Sequence, residues 1–222
     1  GDGYLLHETT VGAALPVISP LENLVATGDT VYEITASISG TMGYVTSAIS
    51  DGLPFSEALR KAEAAGYTES YPRLDLGGVD ARRKALILAR KLGQALDLAD
   101  IEIESLVPTG LENVPLEEFW RRLPSEDARY AEMVKEARAN GHVLRYLAKI
   151  RPNSMPQVGL TAVALDSVYA STRGTESLFA FRTARYDEQP LVIRGQGAGG
   201  ELTASGVLAD ILSIRGQTVG FA

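Results

Sequence analysis

The sequence of 222 residues contains no cysteine and only two histidines. These absences exclude disulfide bonds, thiolate nucleophiles and zinc or iron–sulfur sites with cysteine ligands, and they argue against a metal site built from several histidines. A chain without cysteine suits a reducing compartment, so we expect a cytoplasmic location.

Long apolar runs and clusters of basic residues are missing as well. No apolar run is long enough to cross a bilayer, and the first residues, GDGYLLHETT, lack the basic and then apolar order of a signal peptide. The net charge is −7, and an acidic protein is poorly suited to nucleic acid or to an anionic membrane surface. We therefore expect no nucleic-acid partner and no membrane partner.

The residues that are present form an ordinary globular composition, with 45% hydrophobic and 22% charged residues. Runs rich in β-branched or alternating apolar residues predict strands; these are residues 4–7, 30–38, 101–107, 142–150, 157–165, 177–186 and 190–195. Apolar spacing and capping residues predict helices; these are residues 19–27, a short one within 39–52, 57–65, 78–93, 115–123, 125–140 and 201–216. The helix-rich middle and strand-rich later part predict an α+β fold, a mixed β-sheet with helices layered on it.

Three serines precede predicted helices in the position of an N-cap. Ser19 is followed by Pro20 in the first helical position, and Ser56 and Ser125 stand before the next candidates. Serine side chains accept hydrogen bonds from the free amides of a first turn, so we expect all three to cap their helices.

Residues 66–84, GYTESYPRLDLGGVDARRK, form the densest polar stretch and are called here the polar segment. Asp80 and Lys84 are spaced i, i+4, so they share one helix face. One interpretation is an exposed ion pair worth a few tenths of a kcal/mol. In the other, Gly77 and Gly78 fold the preceding loop back, so that its carboxylates converge on the lysine as a site for an ammonium group with an acid/base.

Residues 195–200, GQGAGG, are called here the glycine segment. They match G-x-G-x-x-G, but the dinucleotide-binding form of that motif needs a βαβ unit and an acidic residue about 20 positions later. The sequence given has no room for such a unit before Ala222. Two interpretations remain: a tight connection from strand to helix, or a loop whose backbone approaches a ligand held mainly by another domain.

Four segments, read in order, resemble homoserine dehydrogenases over nearly the whole chain. They are ETTVGAALPVI, SGTMGYV, the polar segment with the KALILARKLG helix, and IRGQGAGGELTASGVLADIL. LADIEIESLVP and HVLRYLAKI look most like the dehydrogenase part of bacterial bifunctional aspartate kinase–homoserine dehydrogenases. The resemblance implies NAD- or NADP-dependent interconversion of aspartate semialdehyde and homoserine, on the route to threonine and methionine.

The resemblance also implies roles for individual residues. Lys84 matches the proposed acid/base at the reacting oxygen, and Asp80 a carboxylate that contacts substrate and lysine. Glu69 matches the glutamate that holds the substrate, at its ammonium group, and Asp75 another acid of the substrate pocket. Gly199 matches a glycine that contacts the cofactor.

A monovalent cation, typically sodium, is held in this family largely by backbone carbonyls of the ETTVGAALP segment. The matching positions are Glu8, Val11, Ala13 and Leu15. Two departures are visible. The family pattern P-D-P-x-x-D reads SYPRLD at residues 70–75, so tyrosine stands for an acid at Tyr71, and G-A-G-L-P carries Ala14 instead of its second glycine.

The family's N-terminal nucleotide-binding domain has no counterpart in the sequence, so we expect a fragment. Residues 1–18 would be the end of that domain and the dimerisation connection, residues 19–195 the catalytic (substrate) domain, and residues 196–222 the glycine loop and a helix returning to the absent domain. The choice between NAD and NADP would lie in that domain. We expect a homodimer. The alternatives are a dimerisation and amino-acid-binding module without activity in isolation, and another oxidoreductase with a similar substrate domain.

Overall fold

A computed structural model describes residues 5–214 of the chain. In chain order the elements are α1 (Thr9–Gly12), α2 (Ile18–Ala26), β1 (Val31–Ser37), α3 (Gly40–Ser50), α4 (Phe55–Ala64), α5 (Pro72–Leu76), α6 (Val79–Lys91), β2 (Glu102–Ile103), α7 (Leu116–Arg122), α8 (Asp127–Ala139), β3 (His142–Ile150), β4 (Gln157–Ala164), β5 (Glu176–Thr183), β6 (Leu191–Gln196) and α9 (Gly200–Ile214). Single 3₁₀ turns occupy Leu98–Asp100 and Leu123–Glu126. No helix within this range is long and apolar enough to cross a membrane.

The six strands form one mixed sheet in the order β2-β4-β3-β1-β5-β6. Neighbouring strands are antiparallel except for β2 and β4, which are parallel. Strand β1 lies between β3 and β5, with Ile34 opposite both Ile150 and Phe181. The α+β prediction of a mixed sheet with layered helices is confirmed, and β1 reaches the centre of the sheet although it comes first in the chain.

The two faces of the sheet differ because side chains alternate between them. On the first face Ile34, Phe179 and Phe181 are fully buried in the main core, beneath the helices. Removing each phenylalanine from water contributes about 1.5–3 kcal/mol. On the second face, Ala170 and Tyr169 from the loop after β4 pack against Leu147 and Val163, and Leu178 and Ala180 of β5 are buried as well. Among residues 5–214, the helices of the main core lie on the first face.

Several local predictions are wrong for an identifiable reason. Residues 5–7 have no regular structure, so the predicted strand at residues 4–7 is not formed in its described part, and Tyr4 lies outside the described residues. Ser19 does not cap α2, which begins at Ile18. The carboxylate of Glu8 accepts hydrogen bonds from the amides of Val17, Ile18 and Ser19 at 2.6, 2.6 and 2.8 Å. An acid at a helix N-terminus also complements the helix dipole, so Glu8 replaces the serine.

The other two serine caps are also wrong. Helix α4 begins at Phe55, and the Ser56 hydroxyl donates to Asp127 at 2.7 Å. Ser125 lies in a 3₁₀ turn, where its hydroxyl donates to the carbonyl of Arg122 at 2.8 Å. In both cases the serine hydroxyl donates to an oxygen atom and does not accept a hydrogen bond from an amide of the first helical turn.

The strand predicted at residues 101–107 shortens to Glu102–Ile103. The Glu104 amide still donates to the carbonyl of Val158 in β4 at 2.8 Å, but the Leu106 amide donates to the carbonyl of Leu76 at 2.8 Å. The chain leaves the sheet here because its next backbone hydrogen bond is made to α5 and not to β4.

Candidate active site

A cavity of about 700 Å³ lies between the end of β1, the polar segment and the glycine segment. Five of the residues predicted for substrate and cofactor line it: Glu69, Asp75, Asp80, Lys84 and Gly199. The four residues predicted for a cation do not line this cavity and lie in the loop and short helix before α2. The structure thus brings one group of predicted residues together and places the other group elsewhere.

Helix α6 carries Asp80 and Lys84 one turn apart, as the spacing predicts. Their side chains form an ion pair with Nζ 2.7 Å from Oδ2, and the exposed fractions are 20% for Lys84 and 68% for Asp80. The Lys84 ammonium also donates to the carbonyl of Ile38 at 3.1 Å. The lysine is therefore held at the end of β1 and is largely covered, whereas its acidic partner faces the solvent.

Asp75 lies on α5, a five-residue helix inside the stretch that the sequence predicts as a loop. One of its carboxylate oxygens accepts a hydrogen bond from the Thr41 hydroxyl at 2.9 Å, and the other accepts from the amide of Glu69 at 2.9 Å. The Thr41 hydroxyl also contacts the carbonyl of Tyr67. Asp75 therefore ties the loop that carries Glu69 both to α5 and to the first turn of α3.

Gly78 joins α5 to α6 in a left-handed conformation, with φ of 67°. A Cβ at this position would lie 2.5 Å from Tyr146 Oη and 2.7 Å from Ile103 Cδ1, so only glycine fits. Tyr146 donates to the carbonyl of Glu104 at 2.8 Å, and burial, together with the charge of Glu104, raises the pKa of its phenol. The protonated phenol of Tyr146 therefore packs against Gly78, where α5 joins α6, and its hydrogen bond to Glu104 fixes its position.

The glycine segment connects β6 to α9, and β6 pairs with β5 in antiparallel fashion. The glycine segment is therefore not part of a βαβ unit, which the dinucleotide-binding motif requires. A Cβ at Gly197 would lie 1.8 Å from the Ser177 Oγ, which requires glycine for packing alone. Gly199 has φ of 129°, a conformation that favours glycine. The tight strand-to-helix connection is observed, and the segment still faces the cavity.

Six further residues of the cavity have no individual role predicted from the sequence, although all of them except Thr175 lie in segments named above. They come from the start of α3, from the polar segment and from the flanks of β5 and β6: Ser39, Gly40, Thr41, Tyr67, Thr175 and Gln196. The sequence feature that could have indicated Ser39, Gly40 and Thr41 is that this polar run directly follows a predicted strand. Ser39 caps α3, with its Oγ 3.3 Å from the Met42 amide, so a helix N-terminus opens at the cavity.

The loop predicted to hold a cation adopts an unusual conformation at Ala13, whose φ is 52°. Within residues 5–214, no hydrogen bond to the carbonyls of Ala13 and Leu15 is found. Helix α9 presses on this loop, because a Cβ at Gly206 would lie 3.2 Å from Ala14 Cα. The carbonyl oxygens of Ala13 and Leu15 are therefore without a protein partner among the described residues.

The family model described as homoserine dehydrogenase matches residues 16–212. A bifunctional aspartokinase/homoserine dehydrogenase of Zea mays is 43% identical over 95% of this chain, which covers 23% of that relative. A homoserine dehydrogenase of Emericella nidulans is 39% identical over 96% of this chain, which covers 61% of that relative. The chain therefore spans less than two thirds of either relative.

Solved structures show the same fold. A Candida auris protein of unknown function superimposes with a TM-score of 0.92 at 38% identity. The superposition covers 97% of this chain and 62% of the Candida auris chain. A hyperthermophilic archaeal homoserine dehydrogenase mutant in complex with NADPH has a TM-score of 0.67 at 25% identity. This superposition covers 96% of this chain and 56% of the archaeal chain. On the family match and these relatives, the chain belongs to the homoserine dehydrogenase family.

Proposed function

We propose that this chain is the substrate-binding and catalytic part of an enzyme that interconverts aspartate semialdehyde and homoserine with NAD or NADP. The observation that carries the proposal is the convergence of Glu69, Asp75 and the Asp80–Lys84 pair on one cavity that the glycine segment also lines. Residues 1–18 and 196–222 are proposed to connect to the nucleotide-binding domain. The exposed apolar residues Leu208 and Ile211 of α9 support this proposal, since they have a face free for another domain.

Lys84 is proposed as the acid/base at the reacting oxygen. An ammonium group has three hydrogens to donate. Asp80 and the carbonyl of Ile38 account for two of them. The third is left for an oxygen in the cavity, and Asp80, being exposed, can balance the charge while the proton moves. General acid–base catalysis of this kind contributes about 10²–10⁴-fold to a rate.

Glu69 is proposed to bind the ammonium group of the amino-acid substrate. Its side chain is exposed to the cavity, while its amide is fixed by Asp75 at 2.9 Å. Asp75 uses each carboxylate oxygen once toward the protein, and each oxygen has a second lone pair that a substrate can use. The two carboxylates would orient the substrate against Lys84, and such positioning supplies a large part of catalysis.

The cofactor is proposed to approach Gly199, where the absence of a side chain allows close contact with the backbone. When bound, a nicotinamide accepts or supplies the hydride at the carbon that bears the oxygen. The residues of this chain hold that carbon and its oxygen in place. The monovalent cation is proposed to bind the backbone carbonyls of Glu8, Val11, Ala13 and Leu15. The Glu8 side chain is already engaged as the cap of α2.

A homodimer is proposed to form through the part of the second face of the sheet that the helices and the loop after β4 leave open. Thr161 lies half-buried on this face opposite Arg145. A change of Thr161 to glutamate would place a charge there and should shift the protein toward monomers in sedimentation experiments. Ala139→Glu, on the exposed end of α8, should leave the dimer intact.

The alternative, a dimerisation and amino-acid-binding module without activity alone, has one observation in its favour. None of the described elements forms a parallel nucleotide-binding sheet, since β2 and β4 are the one parallel pair among residues 5–214. For the isolated chain this alternative and the main proposal can both hold.

The proposed function is tested by homoserine oxidation with NADP in the full-length enzyme and in this chain alone. Lys84→Ala should lower kcat of the full-length enzyme by about 10²–10⁴-fold. The matched control is Lys91→Ala on the same helix, which pairs with Glu22 and does not line the cavity; its kcat should stay unchanged. Equal kcat in the two variants would refute the role of Lys84, and turnover by the chain alone would refute the need for a further domain.

A further inference from the structure

We propose that Arg73 is a positioning residue that holds α5, and with it Asp75 and the loop carrying Glu69, in the arrangement that the substrate requires. The inference rests on the proposed function, because the arrangement matters for turnover only if the cavity takes the amino-acid substrate. Arg73 itself does not line the cavity.

Arg73 is half-buried, and its guanidinium lies beside three backbone carbonyls. The two hydrogens of Nη1 are shared among them: Nη1 lies 3.2 Å from the carbonyl oxygen of Leu111, 3.1 Å from that of Glu112, and within hydrogen-bonding distance of that of Val114. The guanidinium carbon stands 5.6 Å from the ring centroid of Phe119, which is fully buried. The side chain thus fastens α5 to residues 111–114 and to α7.

The charge of Arg73 has no acidic partner among residues 5–214, because none of the ion pairs found there includes it. Carbonyl dipoles and an aromatic face stabilise it instead. The three carbonyls surround one nitrogen, Nη1, while the guanidinium carbon lies over the Phe119 ring, and an ammonium on a flexible stem matches only part of this combination. The position therefore favours arginine over lysine.

Helix α5 depends on such attachments because five residues are far too few to form a stable helix alone. The tertiary contacts that hold it include Asp75 with Thr41, the Leu76 carbonyl with the Leu106 amide, and Arg73 with residues 111–114. Since Asp75 also accepts a hydrogen bond from the Glu69 amide, a shift of α5 would displace the carboxylates of Asp75 and Glu69 in the cavity. Loss of the Arg73 contacts should therefore weaken substrate binding, although Arg73 itself does not contact the substrate.

A purely structural role for Arg73 would make a different prediction, and a second arginine provides the comparison. Arg60 on α4 stacks over Trp120 with its guanidinium carbon 4.6 Å from the ring centroid, and it donates to the Trp120 carbonyl at 3.5 Å. It makes the same kinds of contact nearby, but none of them is to the polar segment. Arg60→Gln therefore measures the loss of such an arginine without a link to the cavity.

The test uses the full-length enzyme with Arg73→Gln, Arg73→Lys and Arg60→Gln. Arg73→Gln should raise KM for homoserine about tenfold or more, because small displacements of positioning groups have large kinetic effects. Arg73→Lys should recover part of that loss, and KM for NADP should stay unchanged in all variants. Arg60→Gln should leave KM for homoserine unchanged at a similar loss of thermal stability. An unchanged KM for homoserine in Arg73→Gln would overturn the proposal.

Hydrogen–deuterium exchange decides the same question independently of turnover. In Arg73→Gln without substrate, amides in residues 67–76 should exchange at least about tenfold faster, as expected for a segment that opens locally. Residues 85–91 of α6 should stay protected. Unchanged exchange in residues 67–76 would overturn the proposal, whereas an inactive wild-type enzyme with faster exchange in the variant would refute only the proposed function.

Discussion

The polar segment and the glycine segment line the same cavity and contribute to it in opposite ways. The polar segment supplies side chains: Glu69, Asp75, Asp80 and Lys84 all reach the cavity, and each has a named partner or an open face. The glycine segment contributes through missing side chains, since a Cβ at Gly197 would collide with Ser177. The polar segment thus provides the ionisable side chains of the site, and the glycine segment provides a closely packed wall.

The difference shows how far a functional motif can be interpreted from residue types alone. Carboxylates around a lysine indicate chemistry that the residues themselves can perform. A glycine run indicates only that the backbone needs room, and the cause at Gly197 is a serine on β5 that is distant in sequence. Three substitutions test whether the two segments differ in this way, and their expected effects decrease in the order given.

Gly197→Ala tests the claim that packing, and not ligand contact, requires glycine at this position. The new Cβ would lie 1.8 Å from Ser177 Oγ and 2.4 Å from Ser177 Cβ. Overpacking of this kind should lower the free energy of unfolding by about 1–3 kcal/mol, measured by urea unfolding. A second change, Ser177→Gly, should restore part of the loss, because the two positions are in contact.

The control for this experiment is Gly200→Ala, because a Cβ at Gly200 meets no atom within 4 Å. Its free energy of unfolding should change little. If Gly197→Ala were as stable as Gly200→Ala, the packing explanation would be wrong and the glycine segment would resemble the polar segment in serving a ligand directly.

Thr41→Val tests whether the polar segment depends on its attachment to α3. The substitution keeps the shape of the side chain but removes the hydroxyl that bonds Asp75 at 2.9 Å. We expect a loss of about 1 kcal/mol in unfolding free energy, together with a raised KM for homoserine. Thr46→Val is the matched control on the same helix, since the Thr46 hydroxyl bonds only within α3, to Met42 at 2.8 Å and to Gly43. Identical KM values in the two variants would contradict the attachment.

Glu176→Gln tests a surface contact that joins the two strands before the glycine segment. A hydrogen bond from Arg194 at 2.7 Å, acting against some burial, lowers the pKa of Glu176 below its ordinary value of 4.5. A lowered folded-state pKa stabilises the protein above the unfolded-state pKa, and this stabilisation disappears as the pH falls through the folded-state pKa.

The wild-type protein should therefore unfold at a slightly higher temperature than Glu176→Gln at neutral pH. The difference should vanish as the pH falls well below 4.5. The effect should be the smallest of the three because the pair is partly exposed. A difference that grows on acidification would mean that Glu176 is not stabilised by Arg194.

Much of the fold could be predicted because its signals are local. Alternation and β-branched residues mark β1 and β3, and their burial in the sheet follows from that pattern. Helix α6 was predicted from its apolar spacing, and its register placed Asp80 and Lys84 on one face. Residue type and spacing were sufficient for these elements.

The rest depended on contacts between residues that are distant in sequence. Helix α5 looks like a loop because five residues have no periodic signal, and tertiary contacts hold it. The cap of α2 comes from Glu8, not from the adjacent serine. Thr41 reaches Asp75 from another helix. The paired residues are 10 positions apart at the cap of α2, 34 for Thr41 and Asp75, and 38 for Arg73 and Leu111, so neither helical nor strand periodicity links them.

The claim that the polar segment binds the amino-acid substrate is tested most directly by calorimetric titration of homoserine into the full-length enzyme. Glu69→Gln removes the charge that faces the cavity, and Glu63→Gln removes a similar charge from the exposed end of α4, outside the cavity. We predict that homoserine binds at least about tenfold more weakly to Glu69→Gln, since a charged hydrogen bond contributes about 1.5–3 kcal/mol. Glu63→Gln should bind homoserine like the wild type. Equal affinity in Glu69→Gln and the wild type would contradict the assignment of this cavity as the substrate site.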